Sequence, residues 1–231
     1  MYAAMQRLSQ VFFTGNAIHR LFMHATSHLA TDSASALVTI TPPDFPVIID
    51  LVYATPRNFT GHVVYAQAQC ALHADAAACL ARAAQAARRA GYTLKIFDAY
   101  RPPAAQAVFW ALCPDPRYVS DVSVGSHHSR GVAVDVTLLD GNGCELDMGT
   151  GFDAMEAHSH HDCDDLSVEA QRNRSMLLGI MLHAGFKAIA TEWWHYELPD
   201  AHRYPLLDSD VVLVREMTGG ANTAVPQGTL G

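Results

Sequence analysis

Two stretches of this chain carry residue types that could do chemistry together: Ser126-His-His-Ser-Arg-Gly-Val-Ala-Val-Asp135 and Glu192-Trp-Trp-His195. They supply His128, Asp135 and His195, a histidine and carboxylate set of the kind that holds a catalytic zinc. Such a zinc takes three protein ligands and keeps a fourth position for water. Glu192 stands beside the last ligand and is a candidate general base. A metal that brings the pKa of water down to about 7, next to a carboxylate able to take its proton, makes a hydrolase. One zinc per chain is expected.

The elements that must position these groups can be read from the pattern. Residues 75–91 form an alanine-rich helix with Arg88 and Arg89 in its last turn and a glycine stop. Residues 93–100 read as the following strand, and Pro102-Pro103 open a second helix that runs to about Leu112. Arg101 precedes a proline, which holds its backbone extended at the strand's exit. Residues 132–139 read as a strand with Val132, Val134, Val136 and Leu138 on a core face. Ala133, Asp135 and Thr137 share the other face, small and polar around one carboxylate, as a metal-site floor would be. A third helix spans residues 167–185, capped by Ser167 and stopped by Gly185, and residues 186–198 hold the last strand.

Helices and strands are mixed without regular alternation, which predicts an α+β fold with a central antiparallel sheet flanked by helices. Strand geometry sets one condition. Residues three apart on a regular strand face opposite sides, so Glu192 must lie in the turn before its strand or at an irregularity. His128 is expected in the loop ahead of its own strand.

Length and composition bound the rest. At 231 residues, half of them hydrophobic, the chain suits one domain with a full core. A net charge of −8 without any basic run argues against a nucleic-acid partner. No apolar stretch reaches the ~18 to 20 residues of a membrane span. The five cysteines are odd in number and form no C-x-x-C pair, which favours free thiols and a cytoplasmic location, with a periplasmic one as the alternative. Residues 1–37 read as a poorly specified extension without a continuous apolar leader, 38–216 as the domain, and 217–231 as a mobile tail.

Five blocks in order resemble the VanX-type D-alanyl-D-alanine dipeptidases, zinc enzymes that share a fold with D,D-carboxypeptidases and the hedgehog signalling domain. The blocks are Asp50-Leu-Val-Tyr-Ala-Thr-Pro-Arg-Asn-Phe-Thr-Gly61, Phe97-Asp-Ala-Tyr-Arg-Pro102, residues 125–138, Met148-Gly-Thr-Gly-Phe-Asp153 and Glu192-Trp-Trp-His-Tyr-Glu-Leu198. The resemblance spans residues 47–206. It implies His128, Asp135 and His195 as zinc ligands, Glu192 as general base and Arg101 as the stabiliser of the oxyanion. It also implies Asp153 as the partner of the dipeptide's ammonium, with Tyr53 and Ser126 lining a small pocket. The spacing S-x-H-x-x-G-x-A-x-D selects His128 over its neighbour His127. The implied substrate is the small molecule D-Ala-D-Ala.

Two other readings use the same residues. A D,D-carboxypeptidase or endopeptidase would act on longer peptidoglycan peptides, against which Asp153 and a closed pocket argue. A non-enzymatic zinc-binding module would need neither Glu192 nor Arg101. The run His158-Ser-His-His-Asp-Cys-Asp-Asp165 has the composition of a metal site but no ligand spacing, and reads as a polar surface loop near the cleft.

Overall fold

The computed structural model describes residues 37–207. The predicted tail at 217–231, and the extension apart from Leu37, lie outside the described residues. In chain order the elements are β1 (Leu37–Thr39), β2 (Val47–Ile49), β3 (Ala71–His73), α1 (Ala74–Arg89) and β4 (Thr93–Asp98). Then follow α2 (Pro103–Leu112), β5 (Ala133–Leu139), α3 (Val168–His183), β6 (Lys187–Ile189) and β7 (Glu192–Glu197).

The helices form where their caps and stops predict. In α1, Ala76, Ala77, Leu80, Ala83, Ala84 and Ala87 make a buried face of mostly methyl groups, which lets the helix lie close to its neighbours. His73 caps it by accepting the Asp75 N–H, and Gly91, at φ 87°, lets the chain turn away after it. In α3 the Ser167 hydroxyl accepts the Ala170 N–H at 3.0 Å, and Gly185 stops the helix at φ 104°. Proline opens α2 where its missing N–H is of no consequence.

Five strands form one sheet in the order β2-β4-β5-β7-β6, and β1 pairs with β3 in a separate ribbon. Three pairings in the large sheet are antiparallel, but β2 runs parallel to β4. The sheet is therefore mixed, not wholly antiparallel as expected; a three-residue edge strand is too short for its direction to mark the sequence. Residues 186–198 contain the last strand, β7, as expected, and ahead of it the short β6, joined to β7 by a turn at Ala190-Thr191.

Central β5 is buried at every position. Val134, Val136 and Leu138 join Leu94, Ile96 and Tyr196 in a core closed by Leu80 and Ala84 of α1 and Leu177 and Met181 of α3. A second cluster, with Tyr53, Tyr65 and Phe109 of α2, packs around the functional residues described next. Among the described residues no helix is long and apolar enough to cross a membrane.

Candidate active site

Sheet register places two of the predicted ligands. Asp135 on β5 sits directly opposite His195 on β7, with Asp98 of β4 as its partner on the other side. Directly opposed residues have Cβ atoms only about 4.5–5.5 Å apart, so their side chains meet without any loop to guide them.

His128 arrives from a 3-10 turn, His128–Arg130, in the segment ahead of β5 as expected. Its carbonyl accepts the Arg101 N–H at 3.2 Å, and the Ser126 hydroxyl accepts its own N–H at 3.2 Å. Gly131 ends the turn at φ 69°, where a Cβ would meet Leu37 Cδ2 at 2.6 Å and the backbone of His73 at 3.1 Å. Glu192 reaches the same place through the expected irregularity. Ala188 pairs with Tyr196, yet the next residue, Ile189, pairs with Glu192 and not with His195.

Three donor atoms converge here. His128 Nε2 and His195 Nδ1 lie 3.1 Å apart, and Asp135 Oδ1 lies 3.3 Å from the first and 3.1 Å from the second. Donors on a tetrahedron at zinc's usual distance of about 2.0–2.1 Å stand roughly 3.3 Å from one another, so the spacing fits. The outward nitrogens are already committed. His128 Nδ1–H donates to the Ala99 carbonyl at 2.8 Å, and His195 Nε2–H donates to Glu197 Oε2 at 3.0 Å. Two imidazole nitrogens and a carboxylate oxygen thus face one point, an arrangement that asks for a cation, whether proton or metal. The three residues are buried, and among the described residues they are the group able to hold a metal ion.

With no cation among these donors, a proton on His195 takes its place. Burial opposes charge on His195, but its hydrogen bonds to Asp135 and Glu197 push it up to about 10. Asp135 is likewise held ionised, well below the usual carboxylate range, by His128 and His195 against the cost of burial.

Around this group stand the other predicted residues. Glu192, 3.9 Å from His195 Nδ1, is pushed up to about 7 by burial and by Asp135, against the opposing charges of His195 and Arg101. Arg101 donates from Nε and Nη2 to Asp98 Oδ2 at 3.0 and 2.8 Å and from Nη1 to Gln106 at 3.0 Å. Its guanidinium lies over Phe109 and Tyr53, at 4.9 and 5.3 Å from the ring centroids, with Nη2 3.8 Å from Asp135. It is both an ion-pair partner of Asp98 and a fixed cation beside the donors.

Asp153 is the non-glycine residue held at positive φ, 61°, among those described. Such backbone strain, of order 1–3 kcal/mol, is a common mark of functional sites. The Tyr53 hydroxyl lies 2.9 Å from both of its carboxylate oxygens. Burial first, then the charge of Asp135, raise Asp153 to about 8. All eight predicted residues (Tyr53, Arg101, Ser126, His128, Asp135, Asp153, Glu192 and His195) line one cavity of about 220 Å³.

Four supporting residues stand outside the predicted site set, of which Asp98 was foreseeable as an ion-pair partner of Arg101. Glu197 bonds His195, His127 and Lys187; Asp98 anchors Arg101; Tyr65 donates to Asp98 at 2.6 Å; Gln106 holds Arg101 from α2. The available signal for Glu197 was its offset of two from His195, which puts both on one strand face.

The His158–Asp165 run is less of a surface loop than expected. Ser159 is fully buried, and the carbonyls of His158 and His160 accept hydrogen bonds from buried Arg174 at 2.7 and 2.9 Å. Its composition serves a loop tied down by its main chain. All five cysteines are free thiols.

Comparison with known proteins gives the family. Residues 41–213 match the D-ala-D-ala dipeptidase family, peptidase family M15. The D-alanyl-D-alanine dipeptidase of Escherichia coli K12 is 53% identical over 159 residues, covering 69% of this chain and 82% of that relative. The D-alanyl-D-alanine dipeptidases of Enterococcus faecium and Streptomyces coelicolor are each 36% identical over 172 residues, covering 65% of this chain and 85% of the relative. With a match over most of its length and relatives this similar, the chain belongs to the D-ala-D-ala dipeptidase family of peptidases.

Proposed function

We propose that the protein is a zinc-dependent dipeptidase that hydrolyses D-alanyl-D-alanine to two D-alanines. The observation that carries the reading is the convergence of His128, Asp135 and His195 at 3.1–3.3 Å on a cavity that also holds Glu192, Arg101 and Asp153. His128, Asp135 and His195 would hold the zinc, since imidazole nitrogen and carboxylate oxygen are its ordinary donors in catalytic sites. When bound, zinc supplies Lewis-acid polarisation of the scissile carbonyl and acidifies a water.

The chain's own residues do the rest. Glu192, buried beside His195, takes the water's proton and hands it to the leaving amine of the second D-alanine. Arg101, fixed by Asp98 and Gln106, meets the negative charge that develops on the carbonyl oxygen without having to reorganise. Asp153, backed by Tyr53, pairs with the ammonium of the substrate's free N-terminus, and Ser126 and Tyr53 bound the small pocket. An N-blocked peptide brings no cation to ionise Asp153, whose carboxyl then keeps its proton, and forgoing that ion pair is a penalty on binding. That penalty and a cavity of about 220 Å³ favour a dipeptide over a longer chain.

The test is amine release from D-Ala-D-Ala, L-Ala-L-Ala and N-acetyl-D-Ala-D-Ala by the zinc-loaded protein and by Glu192→Ala. Cleavage of the free D,D-dipeptide alone, lost in the variant, is the expected result. Cleavage of the acetylated peptide would move the protein to the carboxypeptidase reading and remove Asp153 from its role. Bound zinc with no turnover of any substrate would leave a binding module.

A further inference from the structure

We infer that Glu197 is the positioning residue that selects which nitrogen of His195 faces the metal site, and that Lys187 and His127 hold Glu197 to that task. The inference rests on the metal-binding reading above and goes on to a residue that reading does not use. Glu197 is 4% exposed and lies two positions after His195 on β7, so both side chains leave the same strand face. Its Oε2 accepts the Nε2–H of His195 at 3.0 Å and the Nδ1–H of His127 at 2.6 Å. Its Oε1 lies 2.7 Å from Lys187 Nζ, and Lys187 is its direct partner across the β6–β7 pairing. Three donors from two strands and a loop around one buried carboxylate leave it a single arrangement.

The ring of His195 inherits that arrangement. An imidazole can present either nitrogen, and the hydrogen bond made by one decides the role of the other. Because Glu197 takes Nε2–H, Nδ1 is the nitrogen left facing His128 Nε2 and Asp135 Oδ1, each 3.1 Å away, and the one that can ligate a metal. The two histidines therefore offer different nitrogens to the site. For His128 the choice is made by a neutral backbone carbonyl, that of Ala99. For His195 it is made by a carboxylate, which draws harder on the N–H proton and makes the inner nitrogen the stronger donor. The same carboxylate fixes His127, so the cavity wall beside His128 is set by Glu197 as well.

The experiment measures zinc dissociation constants of the parent, Glu197→Gln and Glu197→Ala by competition with a chromophoric chelator. The visible spectra of the cobalt(II)-loaded forms, which respond to ligand geometry, are recorded beside them. Glu197→Ala is expected to bind zinc about 10- to 100-fold more weakly, with a shifted cobalt spectrum. Glu197→Gln, whose amide oxygen can still accept the His195 N–H, is expected to fall between the two. A parent that binds no zinc would overturn the metal reading itself. A parent that binds it, with a Glu197→Ala affinity within about twofold and an unchanged cobalt spectrum, would overturn the role of Glu197 and leave the metal reading standing. Should Glu197→Ala fail to fold, Lys187→Met combined with His127→Phe keeps the His195 bond and removes the two anchors. Zinc binding roughly three- to tenfold weaker is then expected, and unchanged affinity would overturn the inference.

Discussion

Asp153 shows how far a single side chain here depends on its surroundings. Burial and the charge of Asp135 raise its carboxyl from 3.8 to about 8. The folded metal-free protein therefore keeps a proton that the unfolded chain gives up near pH 4. Stability from this group is complete below the unfolded value and drains away as pH rises toward 8. Glu192, at about 7, acts in the same direction. Urea denaturation of the chelator-treated Asp153→Asn variant should show a smaller loss of stability between about pH 4 and pH 8 than the parent shows; equal slopes would contradict the environment assigned to Asp153. At this scale the candidate residues that the fold gathers in one cavity were legible in the sequence, because ligation and proton transfer demand particular side chains at particular spacings. Glu197 and Gln106 were not, since they only hold other side chains. Their importance depends on a register and a helix packing that spacing alone does not give.

Elements differed in how plainly they announced themselves. The helices α1 and α3 carried an alanine run, a Ser167 cap and glycine stops, and formed within two residues of expectation. The β6–β7 hairpin turns at Ala190-Thr191, which has none of the Asn-Gly or Asp-Gly character that marks a two-residue turn, so the short β6 was not legible as a strand of its own. The consequence for the site was nonetheless foreseeable, because an offset of three between Glu192 and His195 requires an irregular strand. Two substitutions separate support from chemistry. Ser167→Ala removes the cap of α3, which does not line the cavity, and should cost about 1 kcal/mol in urea denaturation while leaving turnover unchanged. Gly131→Ala strains the turn that delivers His128. It should cost roughly 1–3 kcal/mol and also weaken zinc binding, measured by chelator competition. A Gly131→Ala variant with parental stability would contradict the crowding at that position.

On the scale of the whole molecule, the sheet divides labour between its faces. One face of β5 packs on α1 and α3, and the other presents Asp135 to a site completed by β7, the His128 turn and the Asp153 turn. The three candidate ligands come from separate parts of the chain, so a metal that binds only the folded state should stabilise all of it, by an amount that grows with the logarithm of its concentration. Melting temperature should therefore climb with added zinc in the parent and stay flat in His128→Ala.

The most direct test joins metal and substrate in one experiment: chelator-stripped protein titrated with zinc while D-Ala-D-Ala hydrolysis is followed. Activity that is absent at the start and rises to a plateau at one zinc per chain is the predicted result. Undiminished hydrolysis by the stripped protein, or none at any zinc concentration, would contradict a zinc-dependent dipeptidase.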